Sequence, residues 1–201
     1  MASSAKPYGL KPINLIGGQP YAGSTRQIKI ASGYAANIYN GSIVAIVAGG
    51  TIEIVTTNGD NSTTFPAGTI GVFVGCSYTD PSTKQKVYAQ YWPTGTVASD
   101  AVAYVVDDPD CLFQVQADGA VTQADLGQNT HLAAVQSTST GSTVTGNSNT
   151  AVTATTNTTA TWAFRIVDFV EGPGSTVGDA YTDLIVKFNP GQHSYTNQTG
   201  I

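Results

Sequence analysis

The stretch Ile43-Val44-Ala45-Ile46-Val47-Ala48-Gly49-Gly50-Thr51-Ile52-Glu53-Ile54-Val55-Thr56 carries two strand signals joined by a turn. Residues 43–47 are apolar at every position, the pattern of a strand covered on both faces. Residues 51–56 alternate apolar and polar side chains, as a strand with one buried face does. Between them Ala48-Gly49-Gly50-Thr51 supplies the glycines of a tight hairpin turn. Both runs are short and rich in β-branched side chains, which fit a pleated, half-buried surface.

The same signals recur outward from this hairpin, at residues 27–31, 69–74, 86–92, 101–106, 112–117, 162–170 and 183–188. Turn chemistry separates them, including Asn40-Gly41, Pro66-Ala67-Gly68, Thr79-Asp80-Pro81, Asp107-Asp108-Pro109 and Gly172-Pro173-Gly174. Helix-favouring side chains are scarce: the only glutamates are Glu53 and Glu171, and the only methionine is Met1. The most helix-like stretch, 122–134, contains Gly127 and Asn129 and is expected to give no more than a turn or two. The chain of 201 residues is long enough to bury a full core without a disulfide or metal staple. The expected fold is all-β, an antiparallel sandwich or small barrel formed by residues 27–201 as one domain.

Two segments depart from that pattern. Residues 1–26 contain Pro7, Pro12, Pro20 and Gly17-Gly18, with Tyr8, Leu10, Ile13, Leu15, Ile16 and Tyr21 scattered among them on no regular period. They read as an extended N-terminal arm that either packs on its own domain or reaches a neighbouring subunit. Deleting residues 1–25 is expected to leave the β domain folded. Residues 137–161 hold 15 Ser or Thr among 25 positions and no charge, so they read as an insertion forming either a protruding β-ribbon or an extended loop.

Charge narrows the function classes. Eight Lys plus Arg against thirteen Asp plus Glu leave a net charge of −5, which gives counterion release little to work with, so no free nucleic acid is expected as a partner. No apolar run approaches the roughly 18 residues of a spanning helix and the start lacks a signal-peptide core, so no membrane partner is expected either. Cys76 and Cys111 read as two buried thiols, with a single bridge between them as the alternative. His131 and His193 lack metal-ligand neighbours at useful spacing and read as satisfied polar residues. In Asp107-Asp108-Pro109-Asp110 the carboxylates are expected to cap a turn rather than hold calcium. No catalytic signature, metal site or cofactor cradle is found, and the chain is read as not an enzyme, without cofactors.

The aromatic run is different. Tyr88, Tyr91 and Trp92 sit on one predicted strand, with alternation placing Tyr88 and Trp92 on one face and Tyr91 on the other. They are expected to serve as core, as anchors in a protein interface, or as a stacking platform for sugars in a carbohydrate-binding adhesin module.

Four stretches carry a family likeness: residues 33–44 from Gly33-Tyr34 to Ile43-Val44, residues 71–81 from Gly71-Val72 to Asp80-Pro81, Tyr91-Trp92-Pro93, and residues 103–116 from Ala103-Tyr104 to Val115-Gln116. Together they resemble head decoration, or cement, proteins of tailed double-stranded-DNA bacteriophages. The likeness rests on turn and strand motifs. It implies a structural protein, made in the host cytoplasm, that sits on the outer surface of the capsid as a homotrimer and clamps neighbouring major capsid proteins. The arm residues Tyr8, Leu10, Ile13, Leu15, Ile16 and Tyr21 would lie across a neighbour.

Overall fold

The structure, a computed structural model, describes residues 3–201. Its strands in chain order are β1 (Lys11–Leu15), β2 (Arg26–Lys29), β3 (Ile38–Tyr39), β4 (Ile43–Ile46), β5 (Ile52–Ile54), β6 (Thr69–Thr79), β7 (Lys86–Ala89), β8 (Tyr91–Trp92), β9 (Val102–Val106), β10 (Cys111–Gln116), β11 (Asn129–Thr130), β12 (Phe164–Phe169) and β13 (Asp183–Phe188). The fold is all-β, as expected, and the helical part of the 122–134 stretch is a single 3-10 turn, Gln123–Asp125, with β11 following it.

One antiparallel sheet runs β1-β10-β13-β12-β11. The other runs β2-β9-β6-β4-β5, with β7 added to the far half of β6. This second sheet curls until its ends meet at one parallel bridge, Ile30 to Ile52, without closing a barrel. The inside of the curl holds one core, containing Val44, Ile52, Ile70, Phe73, Ala103 and Val105, with Ile38 and Trp92 of the β3–β8 ribbon packed into it. The outside of the curl packs on the first sheet through the other core, where Ile43, Val72 and Val106 meet Phe113, Val115, Phe164, Leu184 and Val186. The apolar run 43–47 therefore feeds both cores, which is why its first three residues are all buried.

β6 makes this possible. It is eleven residues long, five more than the sequence pattern indicated, and it serves both cores. A strand with strict alternation would send Ile70, Val72 and Cys76 to one face. Here the register against β4 skips at Ile70 and the register against β9 skips at Val74, so two bulges reset the alternation. Ile70, Phe73, Cys76 and Tyr78 then face the inner core, and Val72 and Val74 the outer one. A glycine follows each bulge. Gly71 has φ +140, and a Cβ there would collide with the carbonyl oxygen of Val106.

The arm is extended, as expected, but lies on its own domain. β1 pairs with β10, and Leu10 is fully buried in the outer core. The Gln116 side-chain amide accepts from the Lys6 N–H at 2.8 Å and donates to the Ser4 carbonyl at 3.2 Å, fixing the chain ahead of β1. Deleting residues 1–25 would remove an edge strand and a core side chain, so the deletion carries a stability cost that the sequence pattern did not indicate. Residues 137–161 take the loop form of the two expected and do not protrude. Ser148, Thr150 and Val152 are buried, and backbone bonds tie the segment to Asn40, His131 and Gln116.

Gly71 and Gly50 give a paired test, since both have positive φ but only Gly71 lacks room for a Cβ; nothing lies within 4 Å of one at Gly50. Gly50→Ala should cost about 1 kcal/mol from backbone strain alone, and Gly71→Ala about 3 kcal/mol or more. Urea denaturation of both variants checks the difference.

Candidate interaction surfaces

The predicted strand 86–92 is broken. β7 pairs with β6, whereas β8 leaves to pair with β3, and the bend falls at Gln90, whose Nε2 donates to Asn147 Oδ1 at 2.6 Å. Alternation does not survive the bend, so Tyr88 and Trp92 no longer share a face. Trp92 is fully buried and stands edge-on to Tyr78 with ring centroids 5.3 Å apart. Tyr91 is half-buried and stacks on Tyr39 at 5.7 Å. Tyr88 alone is open, with 75% of its surface exposed. The three aromatics therefore offer a sugar ring no common platform.

Among the arm residues, Leu10 belongs to the core and not to a contact surface. Tyr8, Ile13, Leu15 and Tyr21 are half-buried, and Leu15 and Tyr21 pack against the outer core. Ile16 is half exposed and lies just past β1, where its N–H donates to the Asp110 carbonyl at 2.9 Å. Together with Val167, Phe188 and Pro190, it lines a groove of about 280 Å³, with Arg165 and Lys187 on its walls. Tyr8 is held differently. Lys11 Nζ sits 4.6 Å over its ring, and its hydroxyl is buried near Asp183 without meeting hydrogen-bond geometry. Burial first, and the Asp183 charge second, push that hydroxyl well above its usual range.

The acidic turn is committed locally. Asp107 pairs with Arg26 at 2.6 Å and accepts from the Tyr195 hydroxyl at 3.1 Å. Asp108 accepts from the Asp110 N–H, and Asp110 pairs with Lys187 at 2.8 Å. The four-residue acidic turn thus sends its carboxylates to separate partners, and among the described residues no three His, Cys, Asp or Glu gather as metal ligands. Cys76 and Cys111 are free and buried in different cores, which rules out the bridge between them. Burial pushes both thiols up to about 12.

His131 packs edge-on to Trp162, with centroids 4.7 Å apart. His193 is buried; its Nδ1 accepts from the Tyr195 N–H at 3.2 Å, and its Nε2 has no hydrogen-bond partner. Nothing in the sequence pattern marked Gln136, yet it is the most fully used buried side chain. Its Oε1 accepts from the Ile43 N–H at 2.8 Å, and its Nε2 donates to the Ile43 and Val55 carbonyls at 3.1 Å each. Val144, at 93% exposure, was likewise hidden in the Ser/Thr run.

No protein-family model, curated protein or solved structure matches the chain.

Burial holds the His193 imidazole below its usual pKa, the nearby Asp107 and Asp108 offsetting only part of the effect. The unfolded chain therefore takes up a proton more readily than the folded one. Stability should be complete above the ordinary histidine value of about 6.5 and decline as pH falls below it. Asp183 acts in the opposite sense, its carboxyl raised by burial. Comparing His193→Asn with wild type in denaturant titrations from about pH 7 to about pH 5 isolates the histidine. The variant should show a flatter loss, because Asn keeps the cap on Tyr195 but takes up no proton.

Proposed function

We propose that the chain is a non-enzymatic structural protein of a virion, bound to the outer surface of the capsid and stabilising contacts between major capsid proteins. Two lines support this reading. The first is the likeness of its turn and strand motifs to phage head decoration proteins. The second, which carries it, is the groove beside Ile16: a half-exposed apolar side chain on a tethered arm, next to Val167 and Pro190, with the exposed Arg165 at its wall. That combination suits an apolar segment with an acidic residue on a neighbouring protein. The arm needs no ordering when it binds, because Leu10 and the Gln116 clamp already hold it, so little conformational entropy is lost on docking.

Copy number tests the reading. In purified particles of the virus that encodes the chain, it should stand in a high, icosahedrally allowed ratio to the major capsid protein, and a count of a few tens or fewer would overturn the assignment. Ile16→Asp should leave the thermal midpoint unchanged and weaken binding to undecorated shells about tenfold or more. Unchanged occupancy would remove the groove from the contact.

A further inference from the structure

Among the described residues β7 is an edge strand: it pairs only with β6, and no other strand covers its outer side. The hairpin leading into it fixes which groups point outward. Asp80 N–H donates to the Gln85 carbonyl at 2.9 Å, and the β6–β7 register keeps that pairing in step through Tyr78 with Val87 and Cys76 with Ala89. In an antiparallel ladder, residues of that parity bond the partner strand and those between them point away. Lys86 and Tyr88 therefore turn their N–H and C=O groups to the free edge.

We propose that two copies of the chain associate through this edge, with β7 pairing antiparallel to the partner's β7 about a two-fold axis at Tyr88. The occupant follows from self-complementarity. A two-fold axis perpendicular to the sheet keeps each face on its own side, so Tyr88 must meet the partner's Tyr88, and Lys86 the partner's Gln90. No like charges are opposed, and the Lys86 ammonium is already paired with Asp100 at 2.9 Å. Charged edge residues ordinarily guard against such pairing; here the one on the edge is neutralised by its own chain. Tyr88 exposes three quarters of its surface, enough for two rings to stack across the axis. The loop carrying Val144 is anchored through Gly146 and Asn147 against Gln90, two residues further along the chain. The other edge of β7 is already bonded to β6, so one partner is accepted and the sheet does not propagate. With so short a ladder the contact is small, and the dimer dissociates on dilution. On a crowded shell, high local concentration would hold it together.

The inference does not depend on capsid binding, because it concerns the isolated chain. Sedimentation velocity from about 10 µM to about 1 mM should show the mass rising from one chain toward two. Over the same range, hydrogen exchange at the Lys86 and Tyr88 amides should slow, while Val87 and Ala89, bonded to β6, stay protected throughout. Tyr88→Pro removes the outward N–H and the ring together while leaving the bonds to β6 in place, and should stay monomeric with the fold intact by circular dichroism. Tyr88→Lys keeps the N–H but sets like charges against each other, and should also stay monomeric if the proline variant does not fold. A one-chain mass at every concentration would overturn the proposal, as would association unchanged in Tyr88→Lys. A three-chain mass with the Lys86 and Tyr88 amides still exchanging freely would replace it with the threefold contact that the family likeness implies.

Discussion

Two cores share one strand, and the rest of the molecule depends on how β6 meets that demand. A pleated strand offers its two faces to alternate residues, yet β6 must give four large side chains to the inner core and two to the outer one along a single run. Bulges at Ile70 and Val74 solve the mismatch by advancing the alternation one residue each. Each bulge needs a residue without a side chain beside it, which is the role of Gly71 and Gly75. Because the Val106 carbonyl sits where a Gly71 Cβ would be, β9 can lie close on one side while β4 and β7 share the other. The first sheet then packs on Val72, Ile43 and Val106, so it too is positioned by the register of β6.

The strands were legible wherever their identity is written locally. Short β-branched runs bounded by Gly, Pro, Asn and Asp gave β2, β4, β5, β9, β10, β12 and β13 to within a few residues, because turn chemistry acts over a few positions. The double burial of residues 43–45 was legible too, since an all-apolar strand has no face to spare. What escaped depends on distant partners. β1 carries Pro12 and a bulge near Asn14, which hide its period, and it becomes a strand by lying against β10 roughly a hundred residues later. The break at Gln90 has no local mark: the run 86–92 would continue as one strand if β3 were not placed to take Tyr91 and Trp92. Misplacing that one bend misassigned the face of every aromatic beyond it, and with it the sugar platform.

The irregular backbone survives burial because side-chain amides and hydroxyls stand in for missing strands. Gln136 bonds both backbone groups of Ile43 and the carbonyl of Val55, the bonds a neighbouring strand would otherwise make. Gln116 does the same for Ser4 and Lys6. Along 137–161 the hydroxyls turn inward on their own segment, as where Ser148 and Thr150 bond each other at 2.7 Å and Ser142 accepts from Val144. A Ser/Thr-rich composition therefore signalled flexibility on average while the particular hydroxyls removed it. Composition counts polar groups, whereas order depends on whether each finds a partner.

This economy also decides what is left for other molecules. Several carboxylates are engaged within the chain: the Asp60 carboxyl is held at about 2, first by the Thr63 N–H and then by Asn58; Asp80 is lowered by the Thr83 and Ser82 N–H groups of its own turn, and Asp100 first by Lys86 and then by Thr79. With charged residues only 10% of the chain, long-range steering contributes little, and recognition falls mainly to shape, apolar side chains and unpaired backbone. Those are features of the groove beside Ile16 and of the outer edge of β7. They belong to different sheets, one fixed by the tethered arm and the other by β6. Under the two proposals, one neighbour would be held through the arm and another through the edge, without either contact disturbing the cores. On the proposed capsid reading, several such weak contacts made at once by many copies on one surface would add in effective concentration and not in charge.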